Sequence, residues 1–272
     1  METFEGKVAL ITGASGGLGA ALCLRLLSQG ATVIAFDKDR EALARLSVRH
    51  AQTRQLVLVE GDITEKSAIE AVAGVVQKTY GKLDLLLHNA GVTHFSRFSE
   101  SGAALTRRVM DVNFMGAVML TEAALPLVKK AKGSIVVLSS VAGFAPLYAR
   151  SAYAASKHAL HGFFESLRSE LVDDDVHVMM VCPSFIATQA PSSALETAPK
   201  AGLSRPGSAT ETAGKALLPE FVAQKIIRGI ERGKRQLIIG RLAWLSWIVS
   251  RIFPATYEKK MLESMKAEIH PK

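Results

Sequence analysis

Cysteine is scarce in this chain: Cys23 and Cys182 are the two among 272 residues. A disulfide framework or a thiolate zinc cluster needs more than that. Cys23 falls in a helical pattern and Cys182 ends an apolar run, so buried, reduced thiols are expected, and with them a cytoplasmic compartment. No unbroken apolar run reaches the roughly 18 residues of a spanning helix. The start, Met1-Glu2-Thr3-Phe4-Glu5, lacks the basic and apolar segments of a signal peptide. His94, His158 and His161 show no metal-ligand spacing, so no metal site is expected. Linkers, repeats and low-complexity blocks are also missing. The expectation is therefore one domain over 1–272, with 49% apolar residues to build its core.

Acidic residues are the minority, 25 against 33 basic ones, for a net charge of +8. The excess is concentrated. From Lys225 to Lys272 there are eleven Lys or Arg and four Glu, which is +7 of that total. No recognition motif accompanies the charge, so nucleic acid is not an expected partner. The readings left are a solvated tail and attraction to an anionic membrane surface or to an acidic substrate.

Short apolar runs alternate with helical periodicity. Strands are expected at 8–12, 31–36, 55–60, 83–88, 134–139, 176–182 and 236–239, with the longest helices near 101–131 and 151–172. This alternation predicts an α/β fold: a Rossmann-like, doubly wound parallel sheet of about seven strands with helices on both faces. Two segments break the rhythm. Residues 189–216 are rich in Ser, Ala, Thr, Pro and Gly, and are expected to form a substrate lid after the sixth strand. Residues 237–253 hold both tryptophans, Trp244 and Trp247, between Arg241 and Arg251. This basic apolar extension, about 241–272, could cap a pocket, join subunits or lie in a membrane interface. Burial against protein is the first expectation.

The chemistry starts at Thr12. The first strand runs into Gly13-Ala14-Ser15-Gly16-Gly17-Leu18-Gly19, followed by an amphipathic helix. Glycines let the backbone approach a ligand closely, and the free N–H groups of a helix start attract pyrophosphate. Further on, Tyr153 and Lys157 lie four apart on one helical face, with Ser140 thirteen residues before Tyr153. A phenol is a poor base near neutrality, and a fixed ammonium beside it favours the phenolate.

In this order the motifs resemble the short-chain dehydrogenase/reductase family, over about residues 5–240. The series is the glycine turn at Thr12, Asp62 in G-D-I-T, Asn89-Ala90-Gly91, Asn113 in D-V-N-F, Ser140, Tyr153, Lys157, and Pro183 to Thr188. The resemblance implies a catalytic tetrad of Asn113, Ser140, Tyr153 and Lys157. It selects Ser140 over its neighbour Ser139. Tyr153 would be the general acid/base, Ser140 would orient the reacting oxygen, and Lys157 would also hold the nicotinamide ribose. Asn113 would hold a water linked to Lys157. The dinucleotide would meet Gly13, Ser15, Gly17, Leu18, Gly19, Asp62, Ile63, Asn89, Ala90, Gly91, Pro183, Ile186 and Thr188. His88 stands where the family often has Asn, and is read as a packed structural histidine.

Asp37 sets the expected cofactor. It ends the second strand eighteen residues after Gly19. A carboxylate there accepts ribose hydroxyls and repels a 2′-phosphate. NAD is expected rather than NADP, with Lys38 as the dissenting residue. Phe95, Val141, Phe144, Leu147 and Phe185 are the expected substrate pocket. These features predict an oxidoreductase acting on a bulky or lipid-like secondary alcohol or its ketone, assembled as a homodimer or homotetramer. The alternatives are an NADPH-linked carbonyl or 3-oxoacyl reductase and a non-catalytic dinucleotide sensor.

Overall fold

The computed structural model describes residues 4–48, 55–187 and 216–269. Seven strands form one sheet: β1 (Val8–Thr12), β2 (Thr32–Asp37), β3 (Leu56–Glu60), β4 (Leu85–His88), β5 (Ser134–Leu138), β6 (His177–Pro183) and β7 (Gln236–Ile239). Their order is β3-β2-β1-β4-β5-β6-β7, and every neighbouring pair is parallel. This is the predicted Rossmann-like architecture, with strand boundaries displaced by one or two residues. The second strand, for example, runs Thr32–Asp37 rather than 31–36, and Asp37 ends it as expected.

Strand side chains alternate between two apolar layers. On one face Ile11, Val33, Val136 and Val181 pack against Leu22 and Leu26 of α1 (Gly17–Leu27) and Ile226 of α7 (Pro219–Glu231). On the other, Leu10, Ile34, Leu86 and Met180 meet Val72 of α3 (Lys66–Thr79), Leu120 of α5 (Gly116–Ala131) and Phe164 of α6 (Ser151–Glu170). Helices α2 (Arg40–Val48) and α4 (Phe98–Met110) complete the two faces. Because both faces are covered, the strands read as nearly continuous apolar runs.

The helix expected at 101–131 is two helices, α4 and α5, joined by a π-helical turn, Asp111–Met115. Its whole helical run, Phe98–Ala131, contains a window apolar enough for a membrane span. However, Leu120, Ala124 and Val128 are fully buried in the core, so that face is already occupied by the sheet.

The apolar segment 237–253 is divided. Gly240, at φ 105, separates β7 from α8 (Arg241–Ile252), and α9 (Pro254–Ile269) follows. Within one chain the segment is only partly buried. Ala243 and Ser246 are buried, but Trp244, Ile252 and Phe253 are about 60% exposed. One face of an amphipathic helix is too narrow to hide that many apolar side chains. The segment expected as a lid, 189–216, lies outside the described residues apart from Ala216, and so does Thr188. On either side of it, Ile186 and Leu217 form a parallel bridge.

Candidate active site

The strand order reverses between the neighbouring strands β1 and β4. A crevice opens at such a switch point. Thr12 and Asn89 knit it together. The Thr12 hydroxyl accepts from the N–H groups of Asn89 and Ala90, each at 3.0 Å. The Asn89 amide donates to the carbonyls of Thr12 and Gly13, at 3.1 and 2.9 Å. Gly13 has φ +62, and a Cβ there would sit 2.8 Å from the Ala90 backbone. Any Cβ on Gly19 would collide with the Gly13 carbonyl. The glycines therefore allow three backbone segments to touch, and the N–H groups at the start of α1 line the crevice.

Asp37 closes one side. Its carboxylate accepts from the Ser15 N–H at 3.0 Å and the Ser15 hydroxyl at 2.7 Å. Asp39 N–H reaches the other oxygen at 3.2 Å. Lys38 leans toward Asp62, with 3.7 Å between ammonium and carboxylate. Partial burial pushes the Asp62 carboxyl up. Hydrogen bonds from the Thr64 N–H and hydroxyl, with the Lys38 charge, outweigh it and hold the group below the usual carboxylate range.

Tyr153 and Lys157 share a face of α6, and the Lys157 ammonium lies 5.6 Å from the Tyr153 ring centre. Lys157 is buried and donates to the Leu138 carbonyl at 2.7 Å. Burial pushes its ammonium below the ordinary lysine range, while the Tyr153 and Cys182 side chains act in the opposite sense. Ser140 caps a short 3-10 turn, Val141–Gly143, and its hydroxyl oxygen accepts from the Ala142 N–H at 3.2 Å. Ser139 is buried, and its hydroxyl faces Gly143 and His161.

Asn113 sits in the π-helical turn and does not line the cavity. Its amide accepts from Val92 N–H at 2.7 Å and donates to the Val92 carbonyl and the Ser156 hydroxyl, each at 3.0 Å. Gly91 packs between it and Lys157: a Cβ there would lie 3.3 Å from Asn113 Oδ1 and 3.8 Å from Lys157 Nζ. His88 is buried against Phe164 and bonds the Thr121 hydroxyl at 2.8 Å. Thr121 donates to the Ala117 carbonyl, so His88 is the donor to Thr121 and its Nε2 carries the proton. Burial pushes its pKa down to about 3. Both thiols are free and buried, which raises each to about 12.

One cavity of about 1040 Å³ joins these groups. It takes in the glycine turn, Asp37, Asp62, Ile63, Asn89, Ala90, Gly91, Ser140, Tyr153, Lys157, Pro183 and Ile186. Phe95, Val141, Leu147 and Phe185 also line it. Phe144 does not, because the turn that caps Ser140 carries it past the cavity wall. Several lining residues had no motif to announce them. Arg150 stacks on Phe95 at 3.6 Å and donates to the Thr93 hydroxyl at 3.0 Å. Leu242, Leu245 and Val249 of α8, and Tyr257, Met261 and Met265 of α9, form a further apolar wall. The spacing 257-261-265 is helical and was available as a signal, but nothing in it distinguishes a pocket wall from a core face. Among the described residues no cluster could hold a metal ion.

Comparison with known proteins agrees with this geometry. The family model described as short chain dehydrogenase matches residues 7–198. Dehydrogenase/reductase SDR family member 7B of Bos taurus is 32% identical over 240 residues, covering 85% of this chain and 73% of that protein. The 11-beta-hydroxysteroid dehydrogenase-like 2 protein of Arabidopsis thaliana is 33% identical over 255 residues, 91% of this chain and 77% of its own. A short-chain dehydrogenase structure from Streptomyces avermitilis superposes with a TM-score of 0.81 at 27% identity, over 96% of this chain and 98% of that one. One from Burkholderia cenocepacia, in complex with NADP, gives 0.78 at 25% identity over 96% and 99%. Fold, motif order and relatives converge, and the chain belongs to the short-chain dehydrogenase/reductase family of NAD(P)-dependent oxidoreductases.

Proposed function

We propose that this oxidoreductase interconverts a bulky, apolar secondary alcohol and its ketone, with NAD as the preferred cofactor. Its working unit is read as a single domain over 1–272. The carrying observation is that one cavity is shared by the glycine turn, the Ser140–Tyr153–Lys157 group and the apolar wall of α8 and α9.

The cradle fits a dinucleotide, since a Cβ at Gly13 or Gly19 would fill the space beside Ala90 and Asn89. When bound, the nicotinamide accepts or supplies the hydride. The protein supplies the rest. In oxidation the Tyr153 oxygen takes the hydroxyl proton of the substrate; in reduction it returns one. Ser140 already accepts a bond from Ala142, so its own O–H is free to donate to the reacting oxygen. Lys157 spends one N–H on Leu138 and has two left for ribose hydroxyls. Asn113 holds Val92 and Ser156 in place, and so fixes the floor beneath Lys157. A homodimer or homotetramer is part of the same reading, because members of this family commonly assemble.

The test is Tyr153→Phe, which deletes only the proton carrier. Turnover is expected to fall by about 10²–10⁴-fold while dinucleotide binding stays near wild type. Rates within about twofold of wild type would overturn the mechanism and favour a dinucleotide sensor. Lys157→Met, in contrast, should weaken binding as well.

Preference for NAD rests on the Asp37 carboxylate, whose Oδ1 keeps a lone pair for a ribose hydroxyl and whose charge repels a 2′-phosphate. Lys38, exposed beside it, supports the second reading, an NADPH-linked carbonyl or 3-oxoacyl reductase. Asp37→Ala should narrow or reverse the ratio of kcat/KM for NAD over NADP. A wild-type enzyme that favours NADP would transfer the role to Lys38.

A further inference from the structure

Helix α8 contributes to two surfaces. Leu242, Leu245 and Val249 line the cavity. Leu242 and Leu245 are also 41% and 54% exposed, so the apolar lining continues onto the outside of the molecule. Successive helical residues turn by about 100°. On that wheel Trp244, Ile248, Ile252 and Leu245 form one outward arc, with Arg241 inside it and Arg251 just beyond its edge, where its guanidinium lies over the Trp247 ring. Ala243 and Ser246 are on the buried side. Helix α8 contains no acidic residue, and exposed Phe253 extends the arc beyond its end. Lys259 and Lys260 follow on α9, and Lys260 also lines the cavity.

We infer that this arc docks on an anionic lipid bilayer and sets the cavity mouth against the lipid, so that an apolar substrate passes between membrane and site without crossing water. This deepens the proposed function, since it rests on the reading of an apolar substrate. Two observations select lipid over a second copy of the chain. An isologous contact through α8 would bring the arginines of two copies together, with no acidic residue on α8 to offset them. The same cations are favourable over anionic headgroups, each by electrostatic attraction that salt weakens. The composition also fits an interfacial helix, with Trp and aliphatic residues on the exposed face and arginines beside them.

The experiment uses the full chain and vesicles of phosphatidylcholine alone or with about one third phosphatidylserine. Co-sedimentation is expected with the anionic vesicles, reduced by high salt, and accompanied by a blue shift of tryptophan emission. Replacing the outer side chains together, Trp244→Ser, Ile252→Ser and Phe253→Ser, should lower vesicle binding at least tenfold. None of the three lines the cavity, so turnover of a short, water-soluble alcohol should be unchanged. A second variant, Arg241→Glu, places an acid in the first turn of α8, where it suits the helix dipole, and should selectively weaken binding to the anionic vesicles. Absence of binding by the wild type, or equal binding by wild type and the triple variant, overturns the inference. So does a wild-type dimer that the triple variant converts to monomer, because a second copy would then cover the arc. Sedimentation reads no turnover, so failure of the enzyme assignment and failure of the docking surface are separate results.

Discussion

The nucleotide half of the molecule and its C-terminal cap are built to different standards. Around β1, β2 and β4 many polar groups are paired, Thr12 with Asn89 and Ala90, Asp37 with Ser15, and Asp84 with Val8 N–H, Lys7 and Lys82, while His88 Nδ1 is buried with no described partner. In the cap, Trp247 Nε1 and Ser250 Oγ are buried with no described partner, and large apolar side chains face outward. The strand ends around the glycine turn are cross-linked by hydrogen bonds. On the function proposed above, the cap admits and releases an apolar molecule, and elements with exposed apolar side chains are among the first to open.

If the contrast is real, the largest effect should come from the tight half. Gly19→Ala forces a Cβ against the Gly13 carbonyl and Asn89. A loss of about 1–3 kcal/mol in stability is expected, with dinucleotide affinity down tenfold or more. Calorimetric melting and a dinucleotide titration read both. An unshifted Tm would show that the loop is looser than its packing implies.

A smaller effect belongs to His88. Its folded pKa is about 3, below the unfolded value near 6.5. Below the unfolded pKa the unfolded chain binds a proton that the folded chain refuses, so stability falls as pH drops through that range. Between pH 7 and 5 this single group should cost about 2 kcal/mol. His88→Asn should flatten the decline in a denaturant series at the two pH values, and parallel curves would contradict the assignment. His94, which burial and the Arg150 charge push to about 4, adds a slope of the same sign.

The smallest effect concerns the cap. The Met261 sulfur accepts from the Tyr148 N–H at 3.2 Å, tying α9 to the loop before α6. Met261→Ala should raise KM for a bulky alcohol by about threefold to tenfold and leave a short alcohol and dinucleotide binding unaffected. An equal change for both alcohols would mean that the cap shapes the whole site rather than its apolar end.

The same contrast decides what was legible in the sequence. The glycine turn, Asp37, Asn89, Tyr153 and Lys157 are dictated by close contacts that few residue types satisfy, so their order and spacing point to the fold and the candidate site. Strand ends were legible only to within a residue or two, since the polar Asp37 extends the ladder as an apolar residue would and Pro183, which has no N–H to donate, still takes a place opposite Ile239. Phe144 was misplaced because a 3-10 turn after Ser140 changes the direction of the chain without a sequence signal as strong as glycine or proline. Arg150 and the α9 wall were invisible for a different reason. Any helix with apolar residues four apart gives that pattern, and only the packing of α9 over the site turns it into a pocket wall.

The position of that wall in the chain has a consequence for biosynthesis. Tyr153 and Met265, which face one cavity, are 112 residues apart in sequence. Synthesis at about 5–20 residues per second separates them by roughly 6–20 seconds. For most of that interval β7, α8 and α9 do not yet exist, and the apolar side of the cavity stands open. The nascent protein therefore carries a competent nucleotide cradle beside an uncovered hydrophobic cleft, and chaperone demand should be concentrated in the last stretch of translation.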